Sequence, residues 1–126
     1  MKKKDRIQGK KALFVFGLGL GYQVDALRQR KDGKARIYAI ERYEDVFARA
    51  VDTQHWDDTI HEDVEFLIGQ DLEAVLGHLD KVTKDMAEED WDIITNQPSI
   101  RLDPRYYKTL LRARRKQGAE MLADDE

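Results

Sequence analysis

Gly17, Gly19 and Gly21 stand at alternate positions in KALFVFGLGLGY, after a short apolar run and before a helix-compatible segment that begins at Tyr22. Glycine turns the chain tightly and lets a ligand come close to the backbone. A helix that starts at Tyr22 offers its free N–H groups to any polar group placed there. Glu41 lies 20 residues after Gly21, at the tip of the next apolar run. A carboxylate at that point can accept hydrogen bonds from both hydroxyls of a ribose. Asp71 follows a third apolar run and would fall on the same edge of a sheet. Together Gly17, Gly19, Gly21, Tyr22, Glu41 and Asp71 describe a pocket for a nucleotide-type ligand. Each residue also has a purely structural reading. The glycines can simply shape a turn, Glu41 can pair with Arg42 or Lys34 at the surface, and Asp71 can cap a helix.

The spacing narrows the ligand. A dinucleotide fingerprint requires G-x-G-x-x-G, and counting from Gly19 no glycine stands at Tyr22 or beyond in the loop. This favours an S-adenosylmethionine-like or nucleotide-like pocket over one for a diphosphate-bridged dinucleotide. Asn96-Gln97-Pro98 falls on the same edge and resembles the Asn-Pro-Pro-Tyr loop of amino-group methyltransferases only in outline. Gln97 replaces the first proline and Ser99 the aromatic residue, so the segment reads as a simple turn. No catalytic residue stands out. There is no G-x-S-x-G, and His55, His61 and His78 match no metal-ligand spacing.

The elements that must position these residues follow from periodicity. Residues 12–16, 35–40, 64–68 and 91–95 are apolar runs of strand length, and the first is apolar on both faces, as a central parallel strand is. Residues 22–31, 43–53, 72–86 and 104–117 carry helical apolar stripes. The last opens on Asp103-Pro104, a cap followed by a proline that needs no N–H partner. Residues 55–62 form a loop or short helical turn anchored by Trp56 and Ile60. The alternating order predicts an α/β fold: a Rossmann-like, S-adenosylmethionine-methyltransferase-like three-layer sandwich whose mostly parallel sheet has about four strands in the order 3-2-1-4. Residues 1–10 read as a basic flexible lead-in, 11–118 as a single domain and 119–126 as an acidic tail.

Composition bounds the rest. The chain has 126 residues, enough for one domain, with 41% hydrophobic residues and a formal net charge of −3. That charge argues against nucleic-acid binding driven by overall charge. Charged residues make up 37%, which reads as a highly charged surface around a modest core. The absence of cysteine excludes disulfides, thiolate metal sites and a cysteine nucleophile. No apolar run approaches the roughly 20 residues that span a bilayer, and the basic start lacks a signal-peptide core. The expectation is a cytoplasmic protein with no membrane partner.

Four segments, FVFGLGLGYQVDAL, RIYAIERYEDVFARAV, VEFLIGQDLEAVL and PSIRLDPRYYKTL, resemble the N-terminal Rossmann-like domain of the motility accessory factor (Maf) glycosyltransferase family. The matching positions are Gly17, Gly19, Gly21, Tyr22, Glu41, Gly69, Asp71, Pro98 and Tyr107. Gln23 stands where the family often has histidine. The resemblance implies an accessory domain that acts beside a larger sugar-transferring one in the glycosylation of flagellin with nonulosonic acids. It implies a domain that binds a nucleotide or nucleotide-sugar, or only a protein partner, that partner being a glycosyltransferase domain or a flagellin-related protein. The alternative is a small S-adenosylmethionine-dependent methyltransferase or a degenerate methyltransferase-like scaffold. Phe16 opposes that alternative, because such enzymes usually carry an acid before the first glycine. Three further strands would also be needed.

Overall fold

A computed structural model describes residues 7–31 and 33–113. Four strands, β1 (Ala12–Phe16), β2 (Arg36–Glu41), β3 (Val64–Ile68) and β4 (Trp91–Thr95), alternate with helices. All three strand pairings are parallel and the spatial order is β3-β2-β1-β4. This is the predicted order. It follows from β1, whose five residues are all buried: a strand apolar on both faces belongs in the middle, with helices above and below.

The two faces hold two separate cores. Leu13 and Val15 of β1 point into one, with Ile37 and Ala39 of β2. Helices α1 (Tyr22–Arg30) and α2 (Glu44–Gln54) cover it through Val24, Leu27 and Ala50. Phe14 and Phe16 point into the other, with Ile40 and Leu67. Helix α3 (Leu72–Thr83), a short α4 (Gln97–Leu102) and α5 (Pro104–Ala113) cover that one through Val75, Leu79, Ile100, Tyr106, Tyr107 and Leu110. Burying an apolar side chain of this size contributes about 1.5–3 kcal/mol, so β1 alone anchors both layers.

Several details differ from the sequence-based expectation. The expected turn at Asn96–Ser99 is the start of α4. Asn96 caps it by accepting hydrogen bonds from the Ser99 N–H at 3.1 Å and the Ser99 hydroxyl at 2.9 Å. Helix α3 ends three residues earlier than expected. Asp103 does not spend its carboxylate on the helix behind it: Tyr43 Oη donates to it at 3.0 Å and Arg42 pairs with it at 3.3 Å. Within the expected lead-in, Ile7 is buried in the α1–α2 core, so this core reaches back at least that far. Residues 1–6, residues 114–117 of the expected last helix and the acidic tail lie outside the described residues.

A polar network ties α1 to the segment between α2 and β3, on the same face of the sheet. Trp56 Nε1 donates to Asp25 at 2.7 Å, Arg28 bridges Asp25 and Asp63, and Lys31 pairs with Asp63 at 3.2 Å. Burial pushes the Asp63 carboxyl up, but hydrogen bonds and charge from Lys31 and Arg28 outweigh this and leave it below the ordinary aspartate value of 3.8. A depressed folded-state value means stability that is present above that ordinary value and is lost as pH falls through the folded one. Asp63→Asn is therefore expected to cost about 1 kcal/mol at neutral pH and to shift the acid-unfolding midpoint, read by circular dichroism. An acid-unfolding curve identical to that of the parent protein would show that the network does not hold α1.

Candidate functional site

All four strands end on one edge, and the chain leaves the sheet there in register. Gly17 N–H donates to Ile40 O at 2.8 Å, Gly69 N–H to Glu41 O at 2.8 Å, and Asn96 N–H to Phe16 O at 3.0 Å. This brings the glycine loop, Glu41 and the start of α4 together. In open α/β sheets this carboxyl edge is where ligands bind.

Glu41 is 2% exposed although it is charged. Its location at the end of β2, between the loop and α2, explains how. Oε1 accepts the Leu18 N–H at 2.9 Å, and Oε2 accepts the Tyr43 N–H at 3.1 Å. The carboxylate thus ties the glycine loop to the end of β2. The expected surface pairing with Arg42 or Lys34 does not form: Arg42 turns to Asp103 and lies over the Tyr106 ring, 4.8 Å from its centroid.

The glycines are required by conformation and by neighbours. Gly17, Gly19 and Gly21 have φ of 92°, 56° and 90°. A Cβ on Gly17 would meet Ser99 Cβ at 2.3 Å, and one on Gly19 would meet Asn96 Nδ2 at 3.2 Å. A Cβ on Gly21 would meet Trp56 Cη2 at 2.8 Å. Gln54 Nε2 also donates to Leu20 O at 3.0 Å. The close approach that the glycines permit is therefore made, to a large part, by the protein's own side chains.

Beside this packed loop remains a cavity of about 180 Å³, lined by Gly19, Glu41, Tyr43, Arg49, Asn96 and Tyr107, with Leu20, Val46, Pro98, Ser99 and Leu102 completing the wall. Leu20, Tyr43 and Leu102 are among the most exposed large apolar side chains of the described residues, so the mouth is largely apolar, with the exposed Arg49 at its rim, while the floor is polar. Tyr107 is buried, its Oη accepts the Arg42 N–H at 3.2 Å, and burial with the nearby Glu41 charge pushes its phenol well above the ordinary tyrosine range. The neighbouring Tyr106 phenol is pushed up to about 12, chiefly by burial, and donates to Gln70 O at 2.8 Å. Both tyrosines are neutral donors and acceptors at neutral pH, not bases. Among the described residues no histidine lines the cavity, and the lining contains no nucleophile paired with a base. The arrangement can bind and orient; it carries no evident reaction.

The six residues expected at the site divide. Gly19 and Glu41 line the cavity; Gly17 and Gly21 shape its loop. Tyr22 is 65% exposed and does not line it. Asp71 lies in a separate open groove with Arg42, Gln70, Glu73 and Tyr106. Its side chain caps α3 by accepting the Ala74 N–H at 2.9 Å. Asp71→Ala is expected to cost about 1 kcal/mol by urea denaturation and to leave binding in the Glu41 cavity unchanged. Weakened binding there would join the two sites. Asn96 and Ser99, expected on this edge only as a turn, and Arg49 and Tyr43, which the sequence did not single out, are functional candidates. For the first two a signal existed: Asn96 followed by a proline two residues on is a helix start.

Over residues 2–91 the sequence matches the family described as the glycosyltransferase Maf N-terminal domain. A comparison with curated protein sequences found no match. Among solved structures the chain is similar to the O-methyltransferase TomG from Streptomyces achromogenes, involved in tomaymycin synthesis and solved in complex with SAM. The TM-score is 0.56 at 22% identity, over 89% of this chain and 47% of that one. The likeness is one of fold, and this chain spans about half the length of that enzyme.

Proposed function

The chain belongs to the family of Maf glycosyltransferase N-terminal domains, and from that premise we propose that it is a non-catalytic accessory domain that holds a ribose-bearing ligand, a nucleotide or nucleotide-sugar, for a glycosyltransferase. The observation that carries the reading is Glu41: a buried carboxylate that faces a cavity and whose partners among the described residues are two backbone N–H groups. A carboxylate offers about four acceptor positions, which leaves room for the hydroxyls of a sugar. The partner in this reading is a glycosyltransferase domain or a flagellin-related protein, and the setting is flagellin glycosylation in the cytoplasm. What supports it is the family description, which names a glycosyltransferase. Among the described residues no helix is long and apolar enough to cross a membrane.

Calorimetry with ribonucleotides, nucleotide-sugars and S-adenosylmethionine tests the ligand. The expected outcome is saturable binding of a ribonucleotide-bearing compound. If no compound of these classes binds, the domain serves its transferase as a scaffold alone.

The second reading, a small methyltransferase, is favoured by the fold likeness to TomG. Two observations oppose it. Phe16 is fully buried where an acid would hold the methionine end of the cofactor. Ser99 and Asn96 stand against the loop glycines on the side where that end would run.

A further inference from the structure

Resting on the ligand reading above, we infer that the Glu41 cavity is built for a compact vicinal diol carrying one anionic group, and excludes ligands that extend along the glycine loop. The exclusion comes from α4. Its first turn brings Ser99 to Gly17 and Asn96 to Gly19, so the loop backbone is lined by side chains of this chain. A methionine tail or a diphosphate laid along the loop would have to displace them. Asn96 is not free to leave, because it caps α4 through the Ser99 N–H and hydroxyl. The remaining space, about 180 Å³, falls below the roughly 300–1,000 Å³ of pockets for larger ligands. It encloses a single ring, a ribose, and leaves any base attached to it outside, against Leu20, Tyr43 and Leu102 at the mouth.

The chemistry of the ring follows from the floor. Glu41 accepts one backbone N–H on each oxygen, and none of the described ion pairs supplies it with a cation. What it can still accept is a pair of adjacent hydroxyl donors, one per oxygen. The anionic group follows from Arg49 of α2. Its exposed side chain lines the same cavity. It stands outside the ion pairs of the described surface, which use Lys11, Arg28, Lys31, Arg36, Arg42 and His78. A guanidinium at the rim of a cavity pairs with a phosphate or carboxylate. Tyr43, Val46 and Pro98 give the ring an apolar face to lie on.

Two sources share this chemistry, a nucleoside monophosphate and a sugar phosphate, and one set of titrations separates them. The intact protein is titrated by calorimetry with adenosine and uridine monophosphates, their 2′-deoxy counterparts, the unphosphorylated ribonucleosides, ribose 5-phosphate, S-adenosylmethionine and a uridine diphosphate sugar. The expected result is that the monophosphates bind and loss of the 2′-hydroxyl weakens them about tenfold. Arg49→Gln weakens the phosphorylated ligands about tenfold and leaves the unphosphorylated ribonucleosides unchanged. Equal binding of ribose 5-phosphate and the nucleotides assigns the site to a sugar phosphate; tighter binding of one nucleotide assigns it to that nucleotide. Tighter binding of S-adenosylmethionine or the diphosphate sugar than of any monophosphate overturns the inference while the Glu41 pocket stands. An unchanged affinity in the 2′-deoxy series also overturns it. Binding of no probe overturns both the inference and the ligand reading.

Discussion

Replacing Gly17 with alanine is expected to destabilise the protein by about 2–5 kcal/mol. Two independent effects add. At φ of 92° an L-residue meets its own backbone, which costs about 1–2 kcal/mol. The new methyl group would also stand 2.3 Å from Ser99 Cβ. That carbon is fixed to the backbone of a capped helix, so relief requires moving α4 against the sheet, and overpacking of this kind typically costs about 1–3 kcal/mol. Gly77 is the internal control. It lies inside α3, its φ is not positive, and nothing stands within 4 Å of a Cβ there. Gly77→Ala is expected to stabilise by roughly 0.5–1 kcal/mol, because alanine is the better helix former. Urea denaturation of both variants gives the comparison. A Gly17→Ala protein within 1 kcal/mol of the parent would mean that α4 yields easily, and with it the wall that limits the cavity.

Removal of the Glu41 side chain is the second large effect. Glu41→Ala leaves the Leu18 and Tyr43 N–H groups without their acceptor, one of them at the buried base of the glycine loop. A buried donor left unsatisfied costs about 1–3 kcal/mol. The expected loss is therefore about 2–4 kcal/mol, with ligand binding abolished. Glu41→Gln keeps one acceptor oxygen and turns an amide toward the other N–H, so about half of the loss is expected. The two variants separate structure from recognition. If Gln retains most of the stability but binds nothing, the carboxylate is the group that reads the ligand. A Glu41→Ala protein with unchanged stability would refute the clamp altogether.

The fold was legible because its signals are local and agree. Apolar residues on both faces of β1 place it centrally, and from that the order β3-β2-β1-β4 follows once the crossovers are right-handed. The position of Glu41 at a strand tip was legible for the same reason. Its partners were not: the Leu18 N–H is 23 residues away in sequence, and backbone donors leave no trace in side-chain pattern. Helix α4 escaped because six residues are too few for a periodic stripe, although its asparagine cap and early proline were in view. Which side chains crowd the glycines was also hidden. Ser99 meets Gly17 only because β4 pairs with β1, a contact between distant parts of the chain. The family match, which covers most of the chain, agrees with the resemblance seen in the glycine loop and the segments that follow it.

The central place of β1 also sets an order of assembly. Ala12–Phe16 pairs on one side with β2, soon after it in sequence, and on the other with β4, which starts at Trp91. During synthesis the β1-β2-β3 unit can close as soon as its crossover helices exist. The second edge of β1 must then wait for most of the chain to emerge. Contacts of such long sequence separation form late and slow folding. An open, apolar strand edge in the meantime is a template for pairing with another nascent chain. The stretch that organises the native fold is thus also the one most exposed to misassembly before β4 arrives.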